Sequence, residues 1–316
     1  MKAANLHVAF QMDPMEGINI DGDSTFVLML EAQARGYTLW HYLAEDLSYK
    51  DGEVYAAARK VSVQREKGNH FNVLSDTVNL NLREVDVVWM RQDPPFDMSY
   101  ITATHLLDLI ANDTLVMNNP AEVRNAPEKL FVAQFKSLMP PTLITRSEDE
   151  VKAFRAEHGE IIVKPLYGNG GAGVFHLTAG DSNLGSLMEM FLESSREPVM
   201  VQKFLPEVRE GDKRIILIDG EAVGAINRVP AAGEIRSNMV AGGTAVHSSL
   251  TERECEICDT IGPDLKKRGL TFVGIDVIGD WLTEINVTSP TGLQSINRFD
   301  GVTLEAKIWD AVESKL

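Results

Sequence analysis

The first 120 residues carry two alternating patterns of hydrophobic and polar positions. Short apolar runs at "LHVAFQM", "YTLWHYL", "EVDVVWM" and "TLVMNNP" predict strands, and the nearly continuous third run is typical of a strand buried on both faces. Between them, "STFVLMLEAQARG" and "SYITATHLLDLIAN" have a helical period, with Ser24 expected as the N-cap of the first helix and Gly36 at its end. Strands that alternate with helices predict an α/β fold with a parallel, doubly wound sheet.

The pattern changes near Arg124. A helix is predicted over "APEKLFVAQFKSL", with Pro127 in its first turn, and a second over "SEDEVKAFRAEHG", where Ser147 and Glu150 form a capping-box signature. The extended segments "EIIVKPL" and "GVFHLT" flank a stretch rich in glycine, and "PVMVQKFLP" and "KRIILIDGEAVGAINRVP" continue the strand pattern. After the polar loop "AAGEIRSNMVAGGTA" we expect a helix, a strand pair and a C-terminal helix.

The composition restricts the class of partner. The net charge of the 316 residues is −16, which argues against nucleic acid or an anionic membrane as a partner, because both need clustered Lys and Arg side chains. A local pocket of basic side chains could still bind a small anion. No apolar run reaches about 18 residues, so no transmembrane helix is expected. The first apolar run is too short for a signal peptide, and we therefore expect a cytoplasmic protein.

The stretch "KPLYGNGGAGVF" contains Gly168, Gly170 and Gly173 in the spacing of a dinucleotide-binding loop. That loop needs a helix directly after the glycines, whereas "VFHLT" follows here and no helix is predicted before about Asn183. A P-loop needs Lys and Ser or Thr after the last glycine, whereas Lys164 precedes the first. Two interpretations stay open: a glycine-rich hairpin whose backbone N–H groups approach phosphates, or a turn without a ligand.

The stretch "GIDVIGDWLTEINVTSP" carries the most specific chemistry. Glu284 and Asn286 are two apart on a predicted strand, so their side chains share one face. A turn at Gly279–Asp280 would form a hairpin that places Asp276 beside them. Two carboxylates and an amide oxygen suit Mg²⁺ or Mn²⁺. A solvated strand face is the alternative, but the apolar surroundings favour the metal, because buried acids are costly unless they are paired or ligating.

Three arginines and two cysteines complete the candidate residues. Arg214, Arg228 and Arg236 flank or enter the predicted strands and could bind phosphate or carboxylate, although any one alone is typical of a surface. Cys255 and Cys258 form C-x-x-C, but no second ligand pair lies nearby and both fall in a helical pattern. We interpret them as two half-buried helix residues.

The segments "EKLF", "IIVKPLYGNGGAGVF", "VQKFLP", "GDKRIILIDG", "RVPAAGEIRSNMVAGG" and "TEINVTSPTG" together resemble the ATP-grasp superfamily, and within it the bacterial glutathione synthetases. "MDPMEGINIDGDS" and "VVWMRQDPPFD" extend the resemblance over essentially the whole chain. The resemblance implies a Rossmann-like, doubly wound parallel-sheet substrate domain over residues 1–122. It implies a two-lobed ATP-grasp domain with largely antiparallel sheets: a small lobe over 123–200, and a C-terminal lobe with metal site and mobile lid over 201–316.

The resemblance also implies a reaction. The family joins γ-glutamylcysteine to glycine and converts ATP to ADP and phosphate, through an acyl phosphate on the cysteinyl carboxylate. A ligase for another pair, such as D-alanine with D-alanine or a glutamate-adding enzyme, is the first alternative. A nucleotide-binding protein without catalysis is the second, but such a protein would be expected to have lost part of the acidic cluster or the arginines. A homo-oligomer is expected by resemblance only.

Site residues are implied in the same way. Those for ATP are Lys129, Lys164, Gly168, Gly170, Gly171, the hinge residues Gln202, Lys203, Phe204 and Leu205, and Asp212 near the ribose. Those for the metal, Mg²⁺ or Mn²⁺, are Asp276, Glu284 and Asn286. The catalytic set is Arg214 with Arg228, Arg236 and Asn238, the last three on the lid. Those for the substrates are Asn19, Asp23, Ser24, Arg91, Ser289, Pro290 and Thr291. The chain departs from the family at Gln92, where Lys is frequent, and at Lys203, where Asn or Glu is common.

Overall fold

The computed structural model describes residues 5–168, 170–234, 236–237 and 242–316. The strands are β1 (His7–Gln11), β2 (Thr38–Tyr42), β3 (Leu47–Lys50), β4 (Glu53–Val63), β5 (Phe71–Val73), β6 (Val78–Asn81), β7 (Val87–Met90), β8 (Leu115–Met117), β9 (Thr142–Thr145), β10 (Ile161–Pro165), β11 (Phe175–Leu177), β12 (Val199–Lys203), β13 (Asp212–Ile218), β14 (Glu221–Val229), β15 (Thr244–His247), β16 (Phe272–Ile278) and β17 (Trp281–Asn286). The α-helices are α1 (Ser24–Ala34), α2 (Met98–Asp108), α3 (Pro120–Arg124), α4 (Glu148–His158), α5 (Leu184–Ser194), α6 (Glu252–Lys267), α7 (Leu293–Asp300) and α8 (Leu304–Glu313). Short 3-10 helices lie at Met15–Gly17, Ala44–Asp46, Leu82–Glu84, Phe131–Phe135 and Pro206–Arg209.

The predicted parallel sheet is confirmed. Strands β2, β1, β7 and β8 pair in parallel in that order, and every residue of β7 is buried, as its apolar run indicated. Helices pack on both faces: α1 and α8 on one, where Trp309 donates a hydrogen bond to the Leu28 carbonyl at 2.9 Å, and α2 on the other. The carboxyl ends of β1 and β7 meet at one edge, the usual place for a ligand in such sheets.

The antiparallel part of this sheet is an addition that the sequence patterns did not predict. Strand β4 pairs with β2, and β3, β5 and β6 all pair with β4. The turn at 64–70, which connects β4 to β5, lies over the start of α1, where Arg65 is 5.8 Å from the Phe26 ring. It therefore gives the amino end of α1 a second neighbour besides the parallel sheet.

Two predictions about helices need correction. Asp23, not Ser24, is the N-cap of α1, since its carboxylate accepts from the Phe26 N–H at 2.6 Å. The helix predicted over 126–138 is reduced to the 3-10 turn Phe131–Phe135. The backbone on both sides of this turn bonds to β17 instead. The Ile285 N–H donates to the carbonyl of residue 128 at 3.0 Å, and the Leu282 N–H donates to the carbonyl of residue 138 at 2.9 Å.

Ser147 caps α4 as predicted, but only half of the capping box forms. The Ser147 hydroxyl accepts from the Glu150 N–H at 3.3 Å. The Glu150 carboxylate instead accepts from the Thr145 hydroxyl. The Thr145 hydroxyl, at the end of β9, has therefore replaced the Ser147 N–H as the donor to the Glu150 carboxylate.

Two antiparallel sheets follow. The first has the order β11-β10-β12-β9, and the glycine stretch joins β10 to β11 as the predicted hairpin, with no helix among its described residues before α5. The second has the order β15-β14-β13-β16-β17. Strands β16 and β17 form the predicted hairpin, with Gly279 at φ 56°, and Asp276 pairs with Glu284 across it. The fold of the described residues is thus α/β, with one parallel-rich sheet and two antiparallel sheets.

Both cysteines lie in α6, as interpreted from the sequence. Cys258 is buried and Cys255 is exposed, rather than both being half-buried. Burial raises the pKa of the Cys258 thiol to about 12, so it stays protonated near neutral pH. In the part of the chain that the structure describes, no helix is long and apolar enough to cross a membrane.

Gly262, in α6, packs directly on the turn between β13 and β14. A Cβ at this position would lie 2.2 Å from the carbonyl oxygen of Gly220. We expect Gly262→Ala to lower the free energy of unfolding by about 2 kcal/mol, because two backbones must move apart. Urea denaturation measures the change. Gly180→Ala is the control, since a Cβ there meets nothing within 4 Å, and an equal loss in both variants would contradict the packing argument.

Candidate functional site

A cavity of about 340 Å³ lies between the two antiparallel sheets. Its walls come from the glycine hairpin, from the segment after β12, and from the faces of β13, β14, β16 and β17. Of the predicted site residues, it is lined by Lys129, Lys164, Gly168, Gly170, Gly171, Gln202, Lys203, Phe204, Leu205, Asp212, Arg214, Arg228, Arg236, Asp276, Glu284, Asn286, Ser289, Pro290 and Thr291. Residues that are far apart in the sequence, and that were predicted to bind ATP, metal or substrate, therefore line the same cavity.

The two predicted nucleotide lysines converge on one carboxylate. The Nζ atoms of Lys129 and Lys164 lie 3.6 and 3.8 Å from Oε1 of Glu284, and both lysines are buried. Burial lowers the pKa of Lys164. Burial alone would also lower the pKa of Lys129, but the negative charges of Glu284 and Glu128 outweigh burial and raise that pKa. Lys129 donates to the Gly168 carbonyl as well, so it joins the glycine hairpin to β17.

A buried acid stands between two arginines at the centre of the second antiparallel sheet. Arg214 makes a bidentate pair with Asp276, Nε to Oδ1 at 2.6 Å and Nη2 to Oδ2 at 3.0 Å. Arg228 reaches Oδ1 of the same carboxylate at 3.0 Å and Oδ2 of Asp212 at 2.6 Å. Burial alone would raise the pKa of Asp276, but Arg214 and Arg228 outweigh it and hold that pKa at about 2.

This network corrects one prediction. Arg228 was assigned by resemblance to the lid, but it lies in β14, where it pairs in register with Asp212 and is 6% exposed. Arg236 does lie in the loop that follows: it lines the cavity and pairs with Glu234 at 2.6 Å. Asn238 falls outside the described residues. Burial raises the pKa of Asp212, and the Arg228 guanidinium opposes that shift.

The predicted metal-ligand face is formed as the strand pattern indicated. Asp276 lies opposite Glu284 in the β16–β17 hairpin, and Asn286 Nδ2 is 3.5 Å from Oδ2 of Asp276. Within the described ranges, no group of three or more His, Cys, Asp or Glu side chains is arranged to hold a metal ion. A site here therefore depends on the amide oxygen as well as on the two carboxylates.

One residue of the predicted hinge segment, Phe204, stacks on an aromatic side chain of strand β11. The Phe204 ring lines the cavity, and His176 of β11 stacks on it with centroids 4.0 Å apart and planes at 24°. Glu160 fixes this pair twice, through its carboxylate to His176 Nε2 at 2.7 Å and through its carbonyl to the Phe204 N–H at 2.9 Å. The hinge is thereby tied to the strand that leaves the glycine hairpin.

The predicted substrate residues form two groups. Ser289, Pro290 and Thr291 line the cavity, whereas Asn19, Asp23, Ser24 and Arg91 lie behind it at the edge of the parallel sheet. Arg91 joins the two groups: its Nη2 donates to the Pro290 carbonyl at 3.1 Å and its Nε donates to Thr25 Oγ1 at 3.0 Å. Asp93 joins them again, as Oδ1 accepts from the Ser289 hydroxyl at 2.8 Å.

Several buried polar atoms at this edge have no partner in the described structure. They include Nη1 of Arg91 and the hydroxyl of Ser24. Burial raises the pKa of the neighbouring Asp23 carboxyl, while the Phe26 N–H and Arg91 oppose the shift. Buried donors without partners are costly, so this edge is suited to receive a polar ligand or ordered water.

Sequence reasoning missed Glu128, Asp93 and His176. Glu128 lines the cavity, and its carboxylate contacts the Lys129 ammonium. Burial, and then the charge of Glu284, raise the pKa of Glu128 to about 7, while Lys129 opposes the shift. The signal that could have found it is its place directly before a nucleotide lysine in "EKLF".

Comparison with known proteins agrees with this geometry. The pattern of the prokaryotic glutathione synthetase N-terminal domain matches residues 6–124, and that of the prokaryotic glutathione synthetase ATP-grasp domain matches residues 128–301. The glutathione synthetase of Brucella melitensis is 59% identical over 310 residues, 98% of this chain and 99% of the relative. That of Agrobacterium fabrum is 58% identical over 309 residues, 98% of this chain and 97% of the relative.

Among solved structures, D-cycloserine synthetase DcsG has a TM-score of 0.67 at 15% identity, and the match covers 97% of this chain and 99% of that one. At that identity the likeness concerns the fold. The match to the ATP-grasp domain of the family and the relatives of 58–59% identity define an ATP-grasp enzyme that forms carbon–nitrogen bonds, and the fold agrees with this class. By the matches over nearly its full length, the chain belongs to the prokaryotic glutathione synthetase family.

The raised pKa of Glu128 gives stability a predictable dependence on pH. The folded value of about 7 exceeds the ordinary 4.5, so Glu128 contributes stability below pH 4.5 that is lost as the pH rises through 7. In Glu128→Gln this loss does not occur. We expect the difference in the free energy of unfolding, variant minus unmodified protein, to increase by roughly 1 to 3 kcal/mol between about pH 5 and pH 8.

Urea denaturation without nucleotide measures this difference. Glu193→Gln, on an exposed position of α5, is the control for the exchange of a carboxylate for an amide. A difference between the Glu128→Gln variant and the unmodified protein that stays constant from acidic to basic pH would contradict the prediction.

Proposed function

We propose that the protein joins γ-glutamylcysteine to glycine with ATP, giving glutathione, ADP and phosphate through an acyl phosphate. The observation that carries this is the cavity in which buried lysines and arginines meet an oxygen-only cluster. The relatives of 56–59% identity that are named glutathione synthetases support the choice of substrates. The chain is an enzyme of the ligase class, and it uses ATP.

The nucleotide would lie between the two antiparallel sheets. Gln202–Leu205 would contact the adenine ring, with Phe204 fixed by its stack on His176. Lys129 and Lys164 would bind phosphate oxygens, and the backbone of Gly168, Gly170 and Gly171 would approach them closely. Because both lysines now face Glu284, phosphate binding would exchange one acidic partner of each lysine for another.

Asp276, Glu284 and Asn286 fit a divalent metal by their chemistry. All three offer oxygen donors, they share one face of the hairpin, and Asp276 is ionised because its pKa is held near 2. Mg²⁺ or Mn²⁺ bound there would neutralise charge on the transferring phosphoryl group. The donor set does not distinguish between these two ions.

The carboxylate substrate would occupy the end of the cavity lined by Ser289–Thr291. Arg214, whose Nη1 also donates to the Thr291 carbonyl at 3.2 Å, stands between this segment and Asp276. It is thus placed to stabilise negative charge during phosphoryl transfer and at the tetrahedral intermediate that follows attack by the glycine amine. The chemistry needs positioning and charge neutralisation, and no nucleophilic side chain is required.

Arg236 and Ser237 would close the cavity from the loop after β14. Both line it, and Ser237 donates to Oδ2 of Asp212 at 3.1 Å. A cover here would exclude water, which otherwise hydrolyses an acyl phosphate. The division at residues 122 and 200, the homo-oligomer and the cytoplasmic location stay predictions.

The first experiment is ADP release by purified protein with ATP, Mg²⁺ and glycine, with and without γ-glutamylcysteine, and with D-alanine as the alternative substrate. We expect release only when γ-glutamylcysteine and glycine are both present, with glutathione identified by its mass. Release with D-alanine alone would replace the substrate assignment. ATP binding without release under any condition would favour a non-catalytic nucleotide-binding protein.

Glu284→Gln tests the metal site. We expect kcat to fall on the order of 100-fold, because the amide keeps the shape but loses the charge that the metal needs. Mn²⁺ binding in the presence of ADP, followed by electron paramagnetic resonance, should weaken in parallel. Asp280→Asn makes the same exchange at the exposed turn of this hairpin and should change neither quantity. Unaltered Mn²⁺ affinity in Glu284→Gln would remove Glu284 from the ligand set.

A further inference from the structure

Gln294 joins three parts of the chain at the back of the substrate end of the cavity. It is in the first turn of α7, two residues after the cavity-lining Gly292, and it is only partly exposed. Its Nε2 donates to two carbonyls, that of Ile20 at 2.9 Å and that of Asp23 at 2.7 Å. Its Oε1 accepts from Nη1 of Arg65 at 2.9 Å. Both ends of the amide are therefore used.

The two carbonyls belong to the turn that precedes α1. This turn is closed by hydrogen bonds from the N–H groups of Gly22 and Asp23 to the Asn19 carbonyl, at 3.0 and 2.8 Å. It carries the predicted substrate residues Asn19 and Asp23, and it leads directly to the unpartnered Ser24 hydroxyl. The position of these groups relative to the cavity thus depends on what holds the turn.

Arg65 comes from the antiparallel addition to the first sheet. Its guanidinium lies over the Phe26 ring at 5.8 Å, and its Nη1 is also 3.5 Å from the Ile20 carbonyl. It therefore supports both the amide of Gln294 and the turn to which that amide is bonded. The 64–70 segment thus supports the turn before α1, although it belongs neither to the parallel strands nor to the lining of the cavity.

On the other side, α7 is continuous with the segment that lines the cavity. Ser289 and Pro290 are bonded to Asp93 and Arg91 at the end of β7, and the Ile296 N–H donates to the Gly292 carbonyl at 3.1 Å. Gln294 makes the next hydrogen bonds along the chain between this segment and the edge of the first sheet. The two walls of the substrate end are thus joined on both sides of Gly292.

We propose that Gln294 is a positioning residue for the carboxylate substrate: it fixes the Asn19–Asp23 turn against the Ser289–Gly292 segment, with Arg65 as its support. This rests on the proposed function for the identity of the substrate. Gln294 lies outside the nucleotide end of the cavity, so its loss should weaken capture of γ-glutamylcysteine while ATP binding and the chemical step change little.

The test compares Gln294→Ala, Gln294→Glu and Arg65→Ala. Gln294→Ala removes all three bonds. Gln294→Glu keeps an acceptor for Arg65 but turns a carboxylate towards two carbonyls, so it should not rescue. For both we expect KM for γ-glutamylcysteine to rise about fivefold to tenfold, with kcat and KM for ATP within about twofold. Arg65→Ala should give a smaller rise in the same constant.

Gln33→Ala is the matched control. Gln33 also makes two amide–backbone bonds, with the carbonyl and the N–H of Val63, both at 2.8 Å, but at the far end of α1. It should lower thermal stability about as much as Gln294→Ala and leave KM for γ-glutamylcysteine unchanged. An unchanged KM in Gln294→Ala, an equal rise in Gln33→Ala, or an equal rise for ATP would overturn the proposal.

Hydrogen exchange separates this proposal from the proposed function. The amides of Gly22 and Asp23 should lose protection in Gln294→Ala and keep it in Gln33→Ala, whatever the substrate is. Unaltered protection in Gln294→Ala would overturn the tether itself. Lost protection in a protein that makes no glutathione even when unmodified would instead refute the substrate assignment and leave the tether standing.

Discussion

A buried carboxylate held between two guanidinium groups is the constraint on which the cavity depends. Asp276 is 4% exposed, and removing one partner of such a group typically costs about 3 to 5 kcal/mol, because the remaining charge is left uncompensated. Strand register supplies both partners: Arg214 lies opposite Asp276, and Arg228 lies opposite Asp212. A slip of one residue would turn each of these side chains to the other face. The register of the sheet and the geometry of the site are therefore one requirement.

The same logic extends across the cavity, where basic and acidic side chains occur in near balance. The basic ones include Lys129, Lys164, Arg214 and Arg228, and the acidic ones include Glu128, Asp212, Asp276 and Glu284. Each would be costly alone in a desolvated space, and each has an opposite charge as a neighbour. A bound nucleotide with its metal would bring both signs of charge at once. The lysines could then exchange Glu284 for phosphate while the carboxylates exchange lysine for metal, with little net change in burial of charge.

Local patterns in the sequence predicted the parts of the site that local rules determine. The period of two along β17 and the turn at Gly279 placed Glu284, Asn286 and Asp276 on one face without any long-range information. The absence of a helix after the glycines was enough to choose a hairpin over a dinucleotide loop. The parallel strands were recognisable because they are short, apolar and flanked by helices of the right period.

The rest depends on partners that are distant in the chain. The segment at Glu128 has a helical pattern, but its carbonyl bonds to Ile285, more than 150 residues away, and the helix does not form. Arg228 falls in the predicted strand stretch "KRIILIDGEAVGAINRVP" and was assigned to the lid only by resemblance, whereas its pairing with Asp212, 16 residues earlier, keeps it in β14. Strand β4 does alternate, but Ala56 and Ala58 are among its buried positions, and alanine is a weak indicator of a strand.

The net negative charge of the protein and the lysines and arginines of the cavity act on an anionic substrate over different distances. At physiological ionic strength, charges are screened beyond about 8 Å, so a net charge of −16 affects encounter and solubility more than the bound state. Inside the cavity the dielectric constant is lower, and buried cations act at close range. An ATP molecule or a peptide carboxylate therefore gains its binding energy in the last few ångströms of approach. There the strand register and the bonds around Ser289–Gln294 have already fixed the positions of the groups it meets, so the same contacts that bind the substrate also orient it for transfer.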